Sequence, residues 1–339
     1  MIIDTHAHFL PTSFIAAARM GAAMFPSVAL TEEDGKPRFA FAGHGVTRPA
    51  MPRLADTSER QAWMTAQGID RQVVGGWLDM FGYELPAAEG EAWSRLFNEH
   101  LLAAARQAGC LIPLATVPLQ DGKRAARVLA DAITAGFSGA MIGTQPHGEG
   151  GNLDDPALDP FWEMASRLET TIFIHPMFAC GDPRLLDYGL MNAVGRATDT
   201  TVAVSRLLFS GHLQRFPGMR LIISHGGGAL PWLLGRLQRN HAIHPGKFAD
   251  PLDGFRRLYF DTVMFEPTAL HFLCRLAGTE HVVLGSDYPF PIGDLEPMKL
   301  IRDAGLEAID VERIGGKNAA RLFQVPCECG TRATPSGQE

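Results

Sequence analysis

Ile2-Ile3-Asp4-Thr5-His6-Ala7-His8 reads as a short β-strand that ends in two histidines one residue apart. Side chains at i and i+2 of a strand point to the same side. Two imidazoles at that spacing can grip one metal ion from a single strand, with Thr5 and Ala7 turned the other way into packing. The rest of the chain has to supply whatever completes that grip.

Downstream, short β-branched or apolar runs alternate with longer helical patterns. The runs cover 72–77, 111–117, 139–144, 171–175, 220–225, 257–262 and 281–287. With the first strand they make eight, each followed by a helical segment. Eight βα units predict an α/β protein of the (β/α)8 (TIM) barrel class, whose site forms at the C-terminal ends of the strands. A doubly wound sheet is the competing arrangement. The polar residues separate the two, because His6, His8, His175, His225, Asp261 and Asp287 all fall at the C-terminal ends of their runs. A barrel gathers those ends around one axis, whereas an open sheet spreads them along an edge.

The first strand is followed by an insertion, 9–56, that passes through Pro11, Pro26, Pro49 and Pro52. Within it two short β-like runs flank Glu32-Glu-Asp-Gly-Lys36, which predicts a hairpin. One metal-dependent domain is expected over 1–325. The small and polar stretch 326–339 is expected to be a disordered tail.

Composition narrows the function. The chain has 339 residues, 46% of them hydrophobic, and a formal charge of −7 with no dense Lys/Arg run. No electrostatic footprint for nucleic acid or an anionic membrane follows from that. A cytoplasmic protein acting on small molecules is the expectation. The five cysteines, Cys110, Cys180, Cys274, Cys327 and Cys329, are scattered and read as reduced thiols.

Three neutral imidazoles and a carboxylate suit Zn²⁺, with Mn²⁺ or another divalent transition ion as the alternative. His6, His8, His175 and Asp287 are the expected ligands. The five lysines, Lys36, Lys123, Lys247, Lys299 and Lys317, none of which ends a strand run, leave no bridging lysine carbamate for a second metal, so one ion is expected. His225 differs, because Gly226-Gly227-Gly228 follows it and opens a helix. Glycines there would let backbone N–H groups approach an anion and leave room beside the imidazole. A free imidazole beside metal-activated water is a natural general base. The alternative is a fourth metal histidine or a structural one.

Asp4-Thr-His-Ala-His8, His175-Pro176, His225-Gly-Gly-Gly228 and Gly285-Ser-Asp-Tyr-Pro289 resemble the motif set of the amidohydrolase superfamily, in its decarboxylase branch. Thr47-Arg-Pro49, Met80-Phe-Gly-Tyr83, Val117-Pro-Leu-Gln-Asp121 and Leu233-Leu-Gly-Arg236 extend the likeness toward the 2-amino-3-carboxymuconate-6-semialdehyde decarboxylases within that branch. The resemblance implies a zinc ion on the four ligands, with His225 and Asp287 handling protons. It also implies a substrate site that includes Arg48, Phe81 and Tyr83. Arg236 would reach the active site of a neighbouring subunit, and hence a homodimer is implied. Met177 stands where those decarboxylases carry tryptophan, so the acid processed is expected to differ.

Non-oxidative decarboxylation of an unsaturated or aromatic carboxylic acid is therefore the expectation, with two arginines suited to a dicarboxylate. The alternative is hydrolysis, of a carbon–carbon bond in a ring-cleavage product or of a lactone, because the same ligands serve both.

Overall fold

The computed structural model describes residues 1–41, 43, 45–148, 150–177 and 182–326. The expected tail beyond Pro326, with Cys327 and Cys329, lies outside the described residues, as do Phe178, Ala179, Cys180 and Gly181 after His175. The strands are β1 (Ile3–Phe9), β2 (Val28–Glu33), β3 (Lys36–Phe41), β4 (Arg71–Gly76), β5 (Leu111–Pro113), β6 (Gly139–Gly143), β7 (Thr171–His175), β8 (Arg220–Ile223), β9 (Leu258–Asp261) and β10 (Val282–Val283).

β1, β4 and β5 pair in parallel, and so do β6 through β10 in chain order. Backbone bonds join the two sets at both seams. The Ala115 N–H donates to the Gly139 carbonyl at 2.9 Å, and Met141 donates back to Ala115 at 3.0 Å. On the other side Thr5 donates to Leu284 and His8 donates to Tyr288, each at 2.8 Å. The eight parallel strands thus run in one ring, the expected (β/α)8 barrel. Strands covered on both faces need no alternation, which is why Ile172-Phe-Ile174 and Leu221-Ile-Ile223 are apolar on consecutive residues and buried.

Local chemistry sets the helix ends. Asp121 caps helix Gly122–Ala135 by accepting from the Lys123 and Arg124 N–H groups, and Gly136 ends it in the left-handed region. The insertion does carry the expected hairpin. β2 and β3 pair antiparallel around Asp34 and Gly35, both at positive φ as a tight two-residue turn requires. Phe39 and Phe41 of β3 pack edge-on against Trp93 of helix Ala87–Ala108, fixing the hairpin to the barrel wall.

Three strands stop two or more residues earlier than the apolar runs predict, β5 at Pro113 rather than 117. β8 ends at Ile223 rather than 225 and β10 at Val283 rather than 287. At the ends of the β8 and β10 runs, His225 and Asp287 sit at φ 54° and 59°. A ladder cannot accommodate left-handed residues, and this turn swings both side chains out of the strand direction.

Candidate active site

β1 brings His6 and His8 to the barrel axis, where His175 from the end of β7 meets them. Each ring commits its Nδ1–H to an oxygen acceptor. His6 donates to Asp261 Oδ2 at 2.6 Å, His8 to the Gly76 carbonyl at 3.2 Å and His175 to the Pro176 carbonyl at 3.1 Å. The tautomer of each ring is thereby set, with Nε2 left for the centre. Asp287 completes the group: its Oδ1 lies 3.1 Å from His8 Nε2 and 3.3 Å from His6 Nε2. His225 Nε2 stands 3.7 Å from Asp287 Oδ2.

Electrostatics favour a cation there. Burial opposes charge on His6, yet the carboxylates of Asp287 and Asp261 lift its pKa to about 10. Burial also works against the charge on Asp287, but the His6 charge and bonds from His225, His6 and His8 hold it well below the usual carboxylate range. His175 is kept neutral, its pKa driven well down by burial and then by His8, His6 and His225. Its Nε2 is a buried donor atom without a hydrogen-bond partner among the described residues. Donor atoms of His6, His175, His225 and Asp287 all lie within 4.8 Å of one another, and His8 Nε2 borders the same group. Imidazole nitrogens around a carboxylate, one of them orphaned, fit a divalent transition ion that would replace the proton on His6.

Behind the donors lies a network whose roles the sequence did not disclose. Asp261, noted only as a polar strand end, orients His6 and also accepts from the Gly226 and Val263 N–H groups at 2.9 and 3.1 Å. Asp4 accepts from the His6 and Ser286 N–H groups, Ser286 Oγ and Gln72 Nε2. Burial raises the Asp4 pKa to about 6 against those bonds. Buried Arg60 then links Gln72 Oε1, at 2.5 Å, to the His8 carbonyl, at 2.6 Å. An arginine inside an ordinary amphipathic helix pattern gives no warning of this. Asp4 alone had a signal, since it stands two residues from His6.

The glycines after His225 serve another purpose than the expected anion cradle. Gly226 N–H goes to Asp261, Gly227 N–H to the Ser224 carbonyl and Gly228 N–H to the His225 carbonyl. Close approach explains them: a Cβ at Gly227 would lie 2.8 Å from the Phe260 ring, and one at Gly228 would lie 2.4 Å from the Ala197 carbonyl.

His225 is the member of the group that faces open space, with 20% of its side chain accessible. With Asp287 it borders a cavity of about 450 Å³, lined also by Asn192, Arg196, Trp232 and Met264. A second cavity of about 330 Å³ shares Asn192 and Arg196 and reaches Arg48, Trp77 and Phe290. Half-exposed Arg48 bonds Asp79 Oδ1 at 3.2 Å. The other expected substrate residues lie elsewhere. Phe81 and Tyr83 are buried against each other, and Tyr83 Oη accepts from the Gly143 N–H at 3.2 Å. Met177 is buried at the end of β7, so close to Gly143 that a Cβ there would meet its sulfur at 2.6 Å. Arg236 is exposed, one turn beyond Trp232 on helix Leu230–Ala242. Among the described residues, no helix is long and apolar enough to cross a membrane.

Known proteins share this architecture. The 5-carboxyvanillate decarboxylase of Sphingomonas paucimobilis superposes with a TM-score of 0.79 over 96% of this chain and 99% of its own, at 24% identity. The 5-carboxyvanillate decarboxylase of Novosphingobium aromaticivorans, solved with manganese and 4-hydroxy-3-methoxy-5-nitrobenzoic acid, gives a TM-score of 0.77 over 96% of each chain, at 20% identity. In sequence, the 2-amino-3-carboxymuconate-6-semialdehyde decarboxylase of Dictyostelium discoideum is 31% identical over 253 residues, 73% of this chain and 70% of that protein. The family model described as Amidohydrolase matches residues 3–325, nearly the whole barrel and all the residues at its centre, and the chain belongs to that family.

Proposed function

We propose that this protein is a metal-dependent, non-oxidative decarboxylase of an unsaturated or aromatic carboxylic acid, similar in chemistry to its 2-amino-3-carboxymuconate-6-semialdehyde decarboxylase relative. The observation that carries the reading is the convergence of three oriented imidazoles on Asp287 beneath a cavity that His225 faces. His6, His8, His175 and Asp287 would hold one ion, Zn²⁺ or Mn²⁺. When bound, it supplies Lewis-acid charge and acidifies water near neutral pH.

The remaining chemistry belongs to the chain. When the bond to the departing carboxylate breaks, its electron pair stays on carbon and spreads into the conjugated system. His225, 3.7 Å from Asp287, carries the proton exchanged with that carbon and returns to the neutral base as carbon dioxide leaves. Asp287 Oδ2 faces His225 Nε2 and is the nearby counter-charge for the proton that His225 carries. Arg48 pairs with a substrate carboxylate other than the departing one, and Phe81, Tyr83 and Met177 buttress the strand end at Gly143. In a homodimer, Arg236 of the neighbouring subunit completes the rim. The exposed Trp232 and Leu233 on the same helix support that packing.

Protein loaded with Zn²⁺ or Mn²⁺ is expected to release carbon dioxide from 2-amino-3-carboxymuconate-6-semialdehyde or from 5-carboxyvanillate, and to stop when the metal is chelated. Hydrolytic products in place of carbon dioxide, or release that survives chelation, would overturn the reading.

A further inference from the structure

Asn192 and Arg196 lie four residues apart where a π-helical turn, Met191–Gly195, runs into helix Arg196–Phe209. That spacing puts both on one face, and π turns recur at functional sites. Both residues line both cavities described above, as does Ile292, so they form part of the wall that the two spaces share. Arg196 is 9% exposed, an unusual depth for a guanidinium. Burial, then the charge of Arg48, lowers its pKa, while Asp287 and Asp79 pull the other way. It therefore stands between the Arg48 end and the Asp287 end of the combined space.

Arg48 marks the far end of that space. Its guanidinium lies 6.0 Å from the Phe290 ring, whose centroid is 5.0 Å from that of His8. One aromatic ring thus separates the metal-donor group from a cation, and Arg196 flanks the same path. Arg196 lines the cavity at each end of the span from His225 to Arg48.

We propose that Arg196 is a substrate-binding and specificity-determining residue. With Arg48, and from within the same chain, it reads a second anionic group on an acid whose first carboxylate faces His225 and Asp287. The preferred substrates are then dicarboxylates, or acids with an equivalent second anion, and Asn192 donates to the same group. This rests on the decarboxylase reading for the position of the first carboxylate. A guanidinium meets a carboxylate with two parallel N–H donors, which gives selectivity as well as affinity.

The test is calorimetric binding of isophthalate and benzoate to the zinc-loaded protein, with metal content measured for every variant. Wild type is expected to prefer isophthalate by at least about tenfold, the scale of one charged hydrogen-bonding pair. Arg196→Met should bring that preference close to unity with benzoate binding and metal content unchanged, and Arg196→Lys should recover part of it. Asn192→Asp, which sets a carboxylate on the same face, should lower the preference even if Arg196→Met does not fold. No preference in wild type overturns the proposal. So does a preference that survives Arg196→Met and disappears in Arg236→Ala, or an equal loss of both acids in Arg196→Met. An isophthalate preference without carbon dioxide release from any acid would sink the decarboxylase reading and leave this one standing.

Discussion

Among single residues, the division of labour between His175 and His225 is the point most open to experiment. His175 is buried, neutral and oriented by the Pro176 carbonyl, whereas His225 opens to the cavity on a left-handed backbone. His175→Ala should therefore lose the metal, and His225→Ala should keep it while turnover falls by about 10²- to 10⁴-fold, the range expected for removal of a general acid–base group. Asp261→Asn, which keeps the shape and removes the charge behind His6, should weaken metal affinity by about 10- to 100-fold. Metal analysis after gel filtration, with turnover assayed for His225→Ala, reads all three. An empty site in His225→Ala would make it a ligand and leave the proton carrier unassigned.

The sequence discloses these residues unevenly, for a physical reason. Donors from the strand ends announce themselves, since a polar residue closing an apolar run has few structural uses. Arg196 and Arg60 sit in helices, where an arginine is ordinary in composition and only packing reveals that the side chain turns inward. Phe81 and Tyr83 show the converse: a matching motif marks them, but they are buried against each other and line neither cavity.

Elements show the same contrast. The strand order and the hairpin at Asp34-Gly35 follow from periodicity and turn chemistry, while the turns at His225 and Asp287 depend on positive φ values that no pattern of apolar residues encodes. Short connecting helices are less legible still. Helix His212–Arg215 holds a fully buried His212, whose Nδ1 pairs with Ser210 Oγ at 2.6 Å. Burial, then the Arg215 charge, lowers its pKa to about 4. The sign follows directly. Between that value and the ordinary pKa near 6.5, the unfolded chain binds the proton and the folded chain does not. The stabilising contribution is thus complete above about 6.5 and is lost as pH falls toward 4. His212→Gln should flatten the fall of stability across that window by up to ~1.4 kcal/mol per pH unit, one proton's slope. Denaturant melts at pH 4.5, 5.5 and 6.5 check it, and parallel curves for the two proteins would refute the assignment.

For the whole molecule, the question is whether the barrel's site is complete within one chain. Arg236 is exposed and follows the half-open Trp232 by one helical turn, so the helix edge that borders the cavity continues outward as a surface. If that surface closes on a second copy about a two-fold axis, each Arg236 is delivered to the neighbour's rim, while Arg48 and Arg196 stay with their own donors. Mixing Arg48→Ala with Arg236→Ala subunits then has a definite arithmetic. A mixed dimer carries one site lacking both arginines and one site lacking neither. Random exchange makes about half of the dimers mixed, so about a quarter of wild-type turnover should return from two nearly inactive proteins. Should Arg236 serve its own chain's site, every site in the mixture lacks one arginine and nothing returns. Turnover measured after subunit exchange, with the dimer fraction followed by sedimentation, separates the two. Recovery would also fit the cation wall of the cavities: the guanidinium from the neighbour would raise affinity for any acid, and the choice between one anionic group and two would stay with Arg196.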